Sequence, residues 1–380
     1  MTTSAVSAPA YSVAAPASLA RVVPRWVRVW LWTMAGLVIL MVVVGGATRL
    51  TGSGLSITQW RPIAGALPPL SQTDWVAEFS KYQESSQAQL LNAGMSLARF
   101  KHIFWWEWSH RQLGRFIGLV FAGGFLVGLL TRQLSWRVGA ALAGMGALLG
   151  FQGVIGWVMV ASGLKTGMTA VEPIDLAAHL LFASLFLMTL VALATSLGQK
   201  EARSARAVPP RHAAQVCGLL LLFVLAQLVL GALVAGSHAG LLYNTWPDMD
   251  GRLVPPLAEL FSASPWWTNP LENVTLIQFD HRMLAYAVLA LALVNASLWR
   301  RAEAGGRARL PLILAGLVAA QAVLGIATLV NRVPLGLALA HQLLAMFVLV
   351  LTTRLWVLSR GAGDALGEVA GPLAARVATR

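Results

Sequence analysis

Cysteine and charged residues are scarce in this sequence. Its 380 residues include a single cysteine, Cys217, which excludes an intramolecular disulfide and a cysteine metal cluster. Only 11% of the residues are charged, against about 25% in soluble domains, while 57% are hydrophobic and the mean hydropathy is +0.68. This composition excludes an ordinary water-soluble enzyme.

The hydrophobic residues form eight runs of about 20 residues, separated by charges and by Pro and Gly breaks. A run of this length crosses the ~30 Å hydrocarbon core of a bilayer as a helix. The sequence therefore predicts an all-α polytopic membrane protein with eight transmembrane helices. The predicted spans are 26–47, 106–130, 137–160, 175–197, 214–236, 277–299, 310–330 and 335–357.

The net charge of +13 is concentrated in the loops on one side of these helices. In a soluble chain it would suggest a nucleic-acid partner. In a membrane protein, Lys and Arg are concentrated in the cytoplasmic loops, so the positive charge indicates topology and we expect no nucleic acid partner. The same rule places both termini in the cytoplasm. Residues 1–25 contain Arg but no Asp or Glu, which is also typical of a mitochondrial presequence. The bacterial inner membrane is the favoured location, and the mitochondrial inner membrane is the alternative.

Two long outer loops, one after the first helix and one after the fifth, indicate an internal duplication. The residues that correspond between the halves include Trp60 and Trp246, Gly45 and Gly231, and His110-Arg111 and His281-Arg282. Each repeat contains four helices, and an even number returns the chain to the same side of the membrane. The halves are therefore predicted to be two parallel-related four-helix bundles.

The repeat divides the chain into five predicted segments. They are a disordered cytoplasmic tail at 1–25, a first half at 26–197, a cytoplasmic linker at 198–213, a second half at 214–358 and a cytoplasmic tail at 359–380. In the first long loop, Trp75, Phe79 and Tyr82 recur at helical spacing. This spacing predicts an amphipathic helix on the outer surface of the membrane.

Four of the seven histidines fall one each on the second, fourth, sixth and eighth helices, near the outer end of each. They are His110, His179, His281 and His341. A single intramembrane histidine is usually a hydrogen-bonded packing residue, but four at matched depth favour metal ligands. Two imidazoles on facing helices with iron between them form a bis-histidine haem site, so one pair in each half predicts two haems. Zinc is the competing metal, but a hydrophobic slot between helices suits a porphyrin better.

The two halves differ at the position three residues before the first histidine of each pair. Glu107 precedes His110 and lies one helical turn away on the same face, whereas Gln278, which cannot ionise, precedes His281. The first site can therefore carry acid–base or charge-stabilising chemistry. The alternative is that Glu107 is a solvated carboxylate at a helix N-terminus, where the helix dipole favours it.

Four arginines near these histidines can pair with haem propionates or lie at lipid head groups, and the sequence leaves both interpretations open. They are Arg49, Arg111, Arg115 and Arg282.

Two segments of the sequence resemble the heme A synthase family, in the branch found in mitochondria and Gram-negative bacteria. They are GGATRLTGSGLS at 45–56, followed by WRP at 60–62, and WEWSHRQLGR at 106–115. The resemblance covers about residues 26–358. It implies that the protein oxidises the C8 methyl group of haem O to a formyl group by successive hydroxylations, giving haem A for cytochrome c oxidase.

The resemblance also implies a role for each site residue. Glu107 matches the family's catalytic carboxylate, and His110 and His179 match the histidines of the substrate-haem half. His281 and His341 match the ligands of a haem b. It further implies that the haem O synthase supplies the substrate, while the electron acceptor remains unidentified.

Two other functions are compatible with parts of this sequence. A di-haem electron-transfer cytochrome b, without chemistry on its haems, explains the four histidines equally well but leaves the difference between Glu107 and Gln278 unexplained. A proton-coupled transporter usually carries carboxylates near the bilayer midplane, and the eight predicted spans have none there.

Overall fold

Eight long helices form the body of the protein in the computed structural model, which describes residues 23–201, 212–301 and 309–364. They are α1 (Arg25–Leu50), α2 (Leu97–Leu130), α3 (Trp136–Gly163), α4 (Pro173–Glu201), α5 (Ala213–Gly236), α6 (Val274–Arg301), α7 (Arg309–Val330) and α8 (Leu335–Asp364). All eight are long and apolar enough to cross a membrane. The described ranges contain no β-strand, so the prediction of an all-α multi-pass protein is confirmed.

Parts of the predicted tails and linker lie outside the described residues. They are 1–22, 202–211 and 365–380.

The helices pack in the same order in each half of the chain. Helix α1 contacts α2 and α4, and α3 contacts α2 and α4; α5 likewise contacts α6 and α8, and α7 contacts α6 and α8. Between the halves, α4 packs on α5 and α8, and α1 packs on α8. Buried leucines such as Leu31, Leu187, Leu220 and Leu349 fill the space among these four inner helices. This pattern supports the division into two four-helix halves, which stays a prediction.

Helix α2 begins at Leu97, well before the predicted start near residue 106. The side chain of Ser96 caps it by accepting a hydrogen bond from the backbone N–H of Arg99. Polar and aromatic residues follow, so hydropathy alone did not reveal these first turns. As a consequence Glu107 lies inside the helix, and the interpretation of Glu107 as a carboxylate at a helix N-terminus is wrong.

The predicted helix in the first long loop is present at Gln72–Gln83. Its apolar face packs on the extension of α2, while its position on the membrane surface stays a prediction. Trp75 makes an edge-on contact with Phe104, with ring centroids 5.0 Å apart, and Tyr82 lies 5.3 Å from Phe100. The extension of α2 thus gives the aromatic residues of this helix a protein surface on which to pack.

Candidate active site

The structure brings the four predicted histidines together in the two predicted pairs. His110 on α2 lies near His179 on α4, and His281 on α6 lies near His341 on α8. Each side chain is partly buried. The pairs use equivalent helices in the two halves, as an internal duplication requires.

Each histidine ring packs against a glycine of the helix that precedes it. The contacts are Gly45 with His110, Gly156 with His179, Gly231 with His281, and Gly325 with His341. A Cβ atom added at these glycines would lie 3.0, 2.9, 3.3 and 2.8 Å, in that order, from the nearest ring atom. Any larger residue would therefore press on the ring. The repeat predicted the correspondence of Gly45 and Gly231, whereas that alignment did not point to Gly156 and Gly325.

The histidine pairs fit a haem better than an isolated metal ion. The described ranges contain no group of three His, Cys, Asp or Glu side chains that could hold a metal. A porphyrin supplies four ligands itself and needs only two axial ones from the protein. In the second pair, Nδ1 of His341 is buried and has no hydrogen-bond partner among the described residues, so this ring can orient toward a ligand.

Glu107 is buried, with 3% of its surface exposed, and four hydrogen bonds hold its carboxylate. Arg111 donates from Nη2 and Nε to Oε1 at 2.6 and 3.1 Å. The Ser56 hydroxyl and the Ile57 backbone N–H donate to Oε2 at 2.7 and 2.8 Å. The carboxylate thus ties the loop after α1 to the middle of α2, and it is not solvated.

The equivalent residue in the second half, Gln278, is also buried but makes a different bond. Its Nε2 donates to the carbonyl oxygen of Tyr243 at 3.1 Å. Tyr243 corresponds to Ile57 when Trp60 is aligned with Trp246. The second half therefore fastens the same loop position without a charge.

Two of the four candidate arginines bind corresponding carbonyl groups in the two halves. Arg111 donates from Nη2 to Ile57 at 2.9 Å and from Nη1 to Gln59 at 3.4 Å. In the second half, Arg282 donates from Nη2 to the carbonyl of Tyr243 and from Nη1 to that of Thr245, both at 3.0 Å. Both arginines therefore anchor the long loops that follow α1 and α5.

The remaining two arginines differ in their partners. Arg115 donates to the carbonyls of Pro62 and Arg61 and to Gln112, so it also anchors the first loop. Arg49 is partly buried and makes no side-chain hydrogen bond within the described ranges, which leaves its guanidinium available to an anion. Burial and the nearby Arg49 charge lower the pKa of His238 in the second outer loop.

Two cavities lie on either side of the loop that Glu107 holds. One of about 200 Å³ extends to Trp157 on α3, and one of about 250 Å³ extends to Trp108 on α2. Both are lined by Arg111. The loop position that Glu107 fixes, Ile57, therefore lines both cavities.

The comparisons with known proteins agree with the resemblance noted in the sequence. The family described as "Cytochrome oxidase assembly protein" matches residues 28–353. A heme A synthase of Methylobacterium radiotolerans is 54% identical over 340 residues, 89% of this chain and 91% of the relative. A heme A synthase of Methylorubrum extorquens is 51% identical, over 88% of this chain and 87% of the relative. One of Brucella ovis is 46% identical, over 89% and 93%. The chain therefore belongs to the family of cytochrome oxidase assembly proteins that includes these heme A synthases.

Proposed function

We propose that this protein is a heme A synthase of the bacterial inner membrane, an oxidoreductase that converts haem O into haem A for cytochrome c oxidase. The observation that carries the proposal is a difference between the two matched histidine sites. The first site has a buried carboxylate, Glu107, where the second has the neutral Gln278. An electron carrier needs no such difference. Family membership and the eight apolar helices support the same conclusion.

The reaction replaces a methyl group by a formyl group on the substrate haem. Conversion of CH₃ and one water into CHO releases four protons and four electrons. Two successive hydroxylations give a gem-diol, which loses water to leave the aldehyde. The electrons pass to one-electron acceptors that this proposal does not identify.

In the first half, His110 and His179 would hold the substrate haem. Glu107 would act beside them, one helical turn from His110. A buried carboxylate at this place can accept a proton from the attacking water or stabilise positive charge that develops at the methyl carbon. The four donors around Glu107 fix its position, and Arg111 supplies the nearest compensating charge.

In the second half, His281 and His341 would hold a haem b. When bound, this group supplies one-electron transfer. The neutral Gln278 fastens the outer loop there. The residues of this half therefore suit a cofactor that stays in place and undergoes no covalent change.

The protein would lie in the membrane with its histidine pairs on the side opposite the cytoplasm. Both termini would lie in the cytoplasm, so both histidine pairs would lie in the outer leaflet. The substrate would come from the haem O synthase through the membrane. The free guanidinium of Arg49 is the best placed of the four arginines to bind a propionate, since the other three hold loop carbonyls.

Pigment analysis tests the proposed function directly. The protein would be expressed in cells that make haem O but no haem A, and the extracted haems would be separated by chromatography. We expect haem A with the native protein and none with His110→Ala or His179→Ala, because the substrate would not be held. Stable haem binding with unchanged haem O would instead identify an electron-transfer cytochrome.

A further inference from the structure

Three glutamines in the membrane-spanning helices contact three of the four histidines. Gln152 donates from Nε2 to the backbone carbonyl of His179 at 2.9 Å, and Gln227 and Gln321 make the same bond at 3.0 Å. Gln227 donates to the carbonyl of His281, and Gln321 donates to the carbonyl of His341.

The same amide nitrogens also approach the imidazole rings. Nε2 of Gln152 lies 3.1 Å from Nδ1 of His179, and Nε2 of Gln227 lies 3.1 Å from Nδ1 of His281. Nε2 of Gln321 lies 3.4 Å from Nε2 of His341. Each glutamine therefore holds the backbone carbonyl of one histidine by a hydrogen bond and contacts the ring of the same histidine.

Each glutamine stands four residues before the glycine that contacts the same ring. The motif is Gln-x-x-x-Gly, at 152–156, 227–231 and 321–325. Four residues is about one turn of a helix, so the glutamine and the glycine share a face toward the histidine. The amide oxygens of all three glutamines are buried without a hydrogen-bond partner among the described residues. An unpaired buried acceptor is unfavourable, so these amides are held in place by their N–H donors alone.

The fourth histidine, His110, has no such glutamine. The residue four positions before its glycine, Gly45, is Met41. Its terminal carbon reaches toward the turn that follows His110, since it would lie 3.3 Å from a Cβ atom added at Gly114. Methionine has no N–H to donate, and the described ranges give the His110 ring no hydrogen bond. That ring is also turned differently, because it presents Nε2 to its glycine where the other three present Cε1.

We infer that Gln152, Gln227 and Gln321 are positioning residues for three haem-ligating histidines, and that Met41 leaves His110 as the ligand that can be released. The inference rests on the proposed function. A cofactor that stays bound would then have two fixed ligands. A substrate that must enter, and a product that must leave, would have one fixed ligand and one exchangeable ligand.

The rate of haem transfer to excess apomyoglobin measures how firmly the ligands of the second half hold haem b. We expect Gln227→Met and Gln321→Met to release haem b about tenfold faster than the native protein, because each removes the buried hydrogen bonds of one ligand. The ferric protein should also show a high-spin fraction in its visible and EPR spectra. A general loss of packing would not produce that signature in protein with native circular dichroism.

Gln342→Met is the matched control for these variants. Gln342 is also a glutamine inside a membrane-spanning helix, and its Nε2 donates to a backbone carbonyl at 2.9 Å. That carbonyl belongs to Val42 and not to a histidine. We expect this variant to release haem b at the native rate. Equal rates for Gln342→Met, Gln227→Met and Gln321→Met would overturn the positioning role.

The reciprocal change tests the first half. Met41→Gln would supply the missing donor, so we expect haem O and haem A to transfer to apomyoglobin about tenfold more slowly, with haem b unaffected. Met41→Leu is the control, because it keeps the volume and adds no donor. The same transfer rate for both variants would overturn the role of Met41.

The result remains interpretable if the proposed function fails. Chromatography identifies which haem is released, so the measurement needs no turnover. A native protein that binds haem but makes no haem A would overturn the proposed function, while faster haem b release from Gln227→Met would still support the positioning role.

Discussion

The Ser56 hydroxyl donates a hydrogen bond of 2.7 Å to Oε2 of Glu107, across 51 residues of sequence. The next backbone N–H, that of Ile57, donates to the same oxygen. The carboxylate therefore has two possible roles that a substitution at Glu107 alone would confuse. It can take part in the chemistry, and it fixes the loop after α1.

The charge of Glu107 is tested by Glu107→Gln. A glutamine at this position can donate to the carbonyl of Ile57 as Gln278 donates to that of Tyr243, so we expect the fold and haem b to survive. Haem A formation should fall by about 100-fold or more if the carboxylate acts as a general base. Pigment analysis should find haem O or a partly oxidised intermediate. Near-normal haem A would leave Glu107 only its role in fixing the loop.

The loop-fixing role is tested separately by Ser56→Ala. This change removes one of the four hydrogen bonds to the carboxylate and leaves its charge and the ion pair with Arg111 in place. A single buried hydrogen bond contributes about 1 kcal/mol, so we expect haem A formation to fall by about fivefold, much less than in Glu107→Gln. An equal loss in the two variants would indicate that position matters more than charge.

Haem b retention should depend on the second histidine pair. We expect His281→Ala or His341→Ala to remove most of the stably bound low-spin haem b from the purified protein, as the visible spectrum would report. His212→Ala is the control, because His212 is exposed at the start of α5. A full haem spectrum in both ligand variants would show that the pairing is wrong.

Substitution of Gly325, which contacts the ring of His341, should impair haem b binding as much as substitution of the histidine itself. Gly325→Ala would place a methyl group 2.8 Å from Cε1 of the ring, so the ring must shift, and we expect haem b to be lost or high-spin. Gly316→Ala on the same helix is the control, because its added Cβ meets no atom within 4 Å. There the alanine should raise stability by about 0.5–1 kcal/mol in thermal unfolding. Native haem spectra in both variants would contradict the close contact at Gly325.

Reporter fusions test the predicted topology. We expect fusions at residues 85 and 260, in the two long loops, to report an outer location, and a fusion at residue 134 to report a cytoplasmic one. The reverse result would move the histidine pairs to the inner leaflet.

The parts of the fold that the sequence predicted are those that depend on local composition. The membrane spans follow from hydropathy, and the equivalence of His110 and His281 follows from the repeat. The start of α2 could not be predicted from local composition, because Phe100 and Phe104 are buried only by a partner helix elsewhere in the chain. The partners of Glu107 were equally hidden, since they depend on the conformation of a loop.

The glutamines next to the histidines were a different case. The spacing of Gln152 and Gly156 recurs at Gln227 and Gly231, so the pattern was present in the sequence and was overlooked. A polar residue inside an apolar span usually marks a functional contact. The structure identifies that contact through the backbone carbonyl of each histidine.

Helix α2 has 34 residues and is therefore about 50 Å long at roughly 1.5 Å per residue, which exceeds the ~30 Å core of a bilayer. A helix of this length tilts in the bilayer or extends beyond its hydrocarbon core, and the end that begins at Leu97 carries the polar and aromatic turns. The helix at Gln72–Gln83 leans against this end, and Glu107 and His110 lie further along the same continuous rod. Because no break in the helix separates these parts, a displacement of the end that begins at Leu97 would move the carboxylate of Glu107 and the imidazole of His110 together.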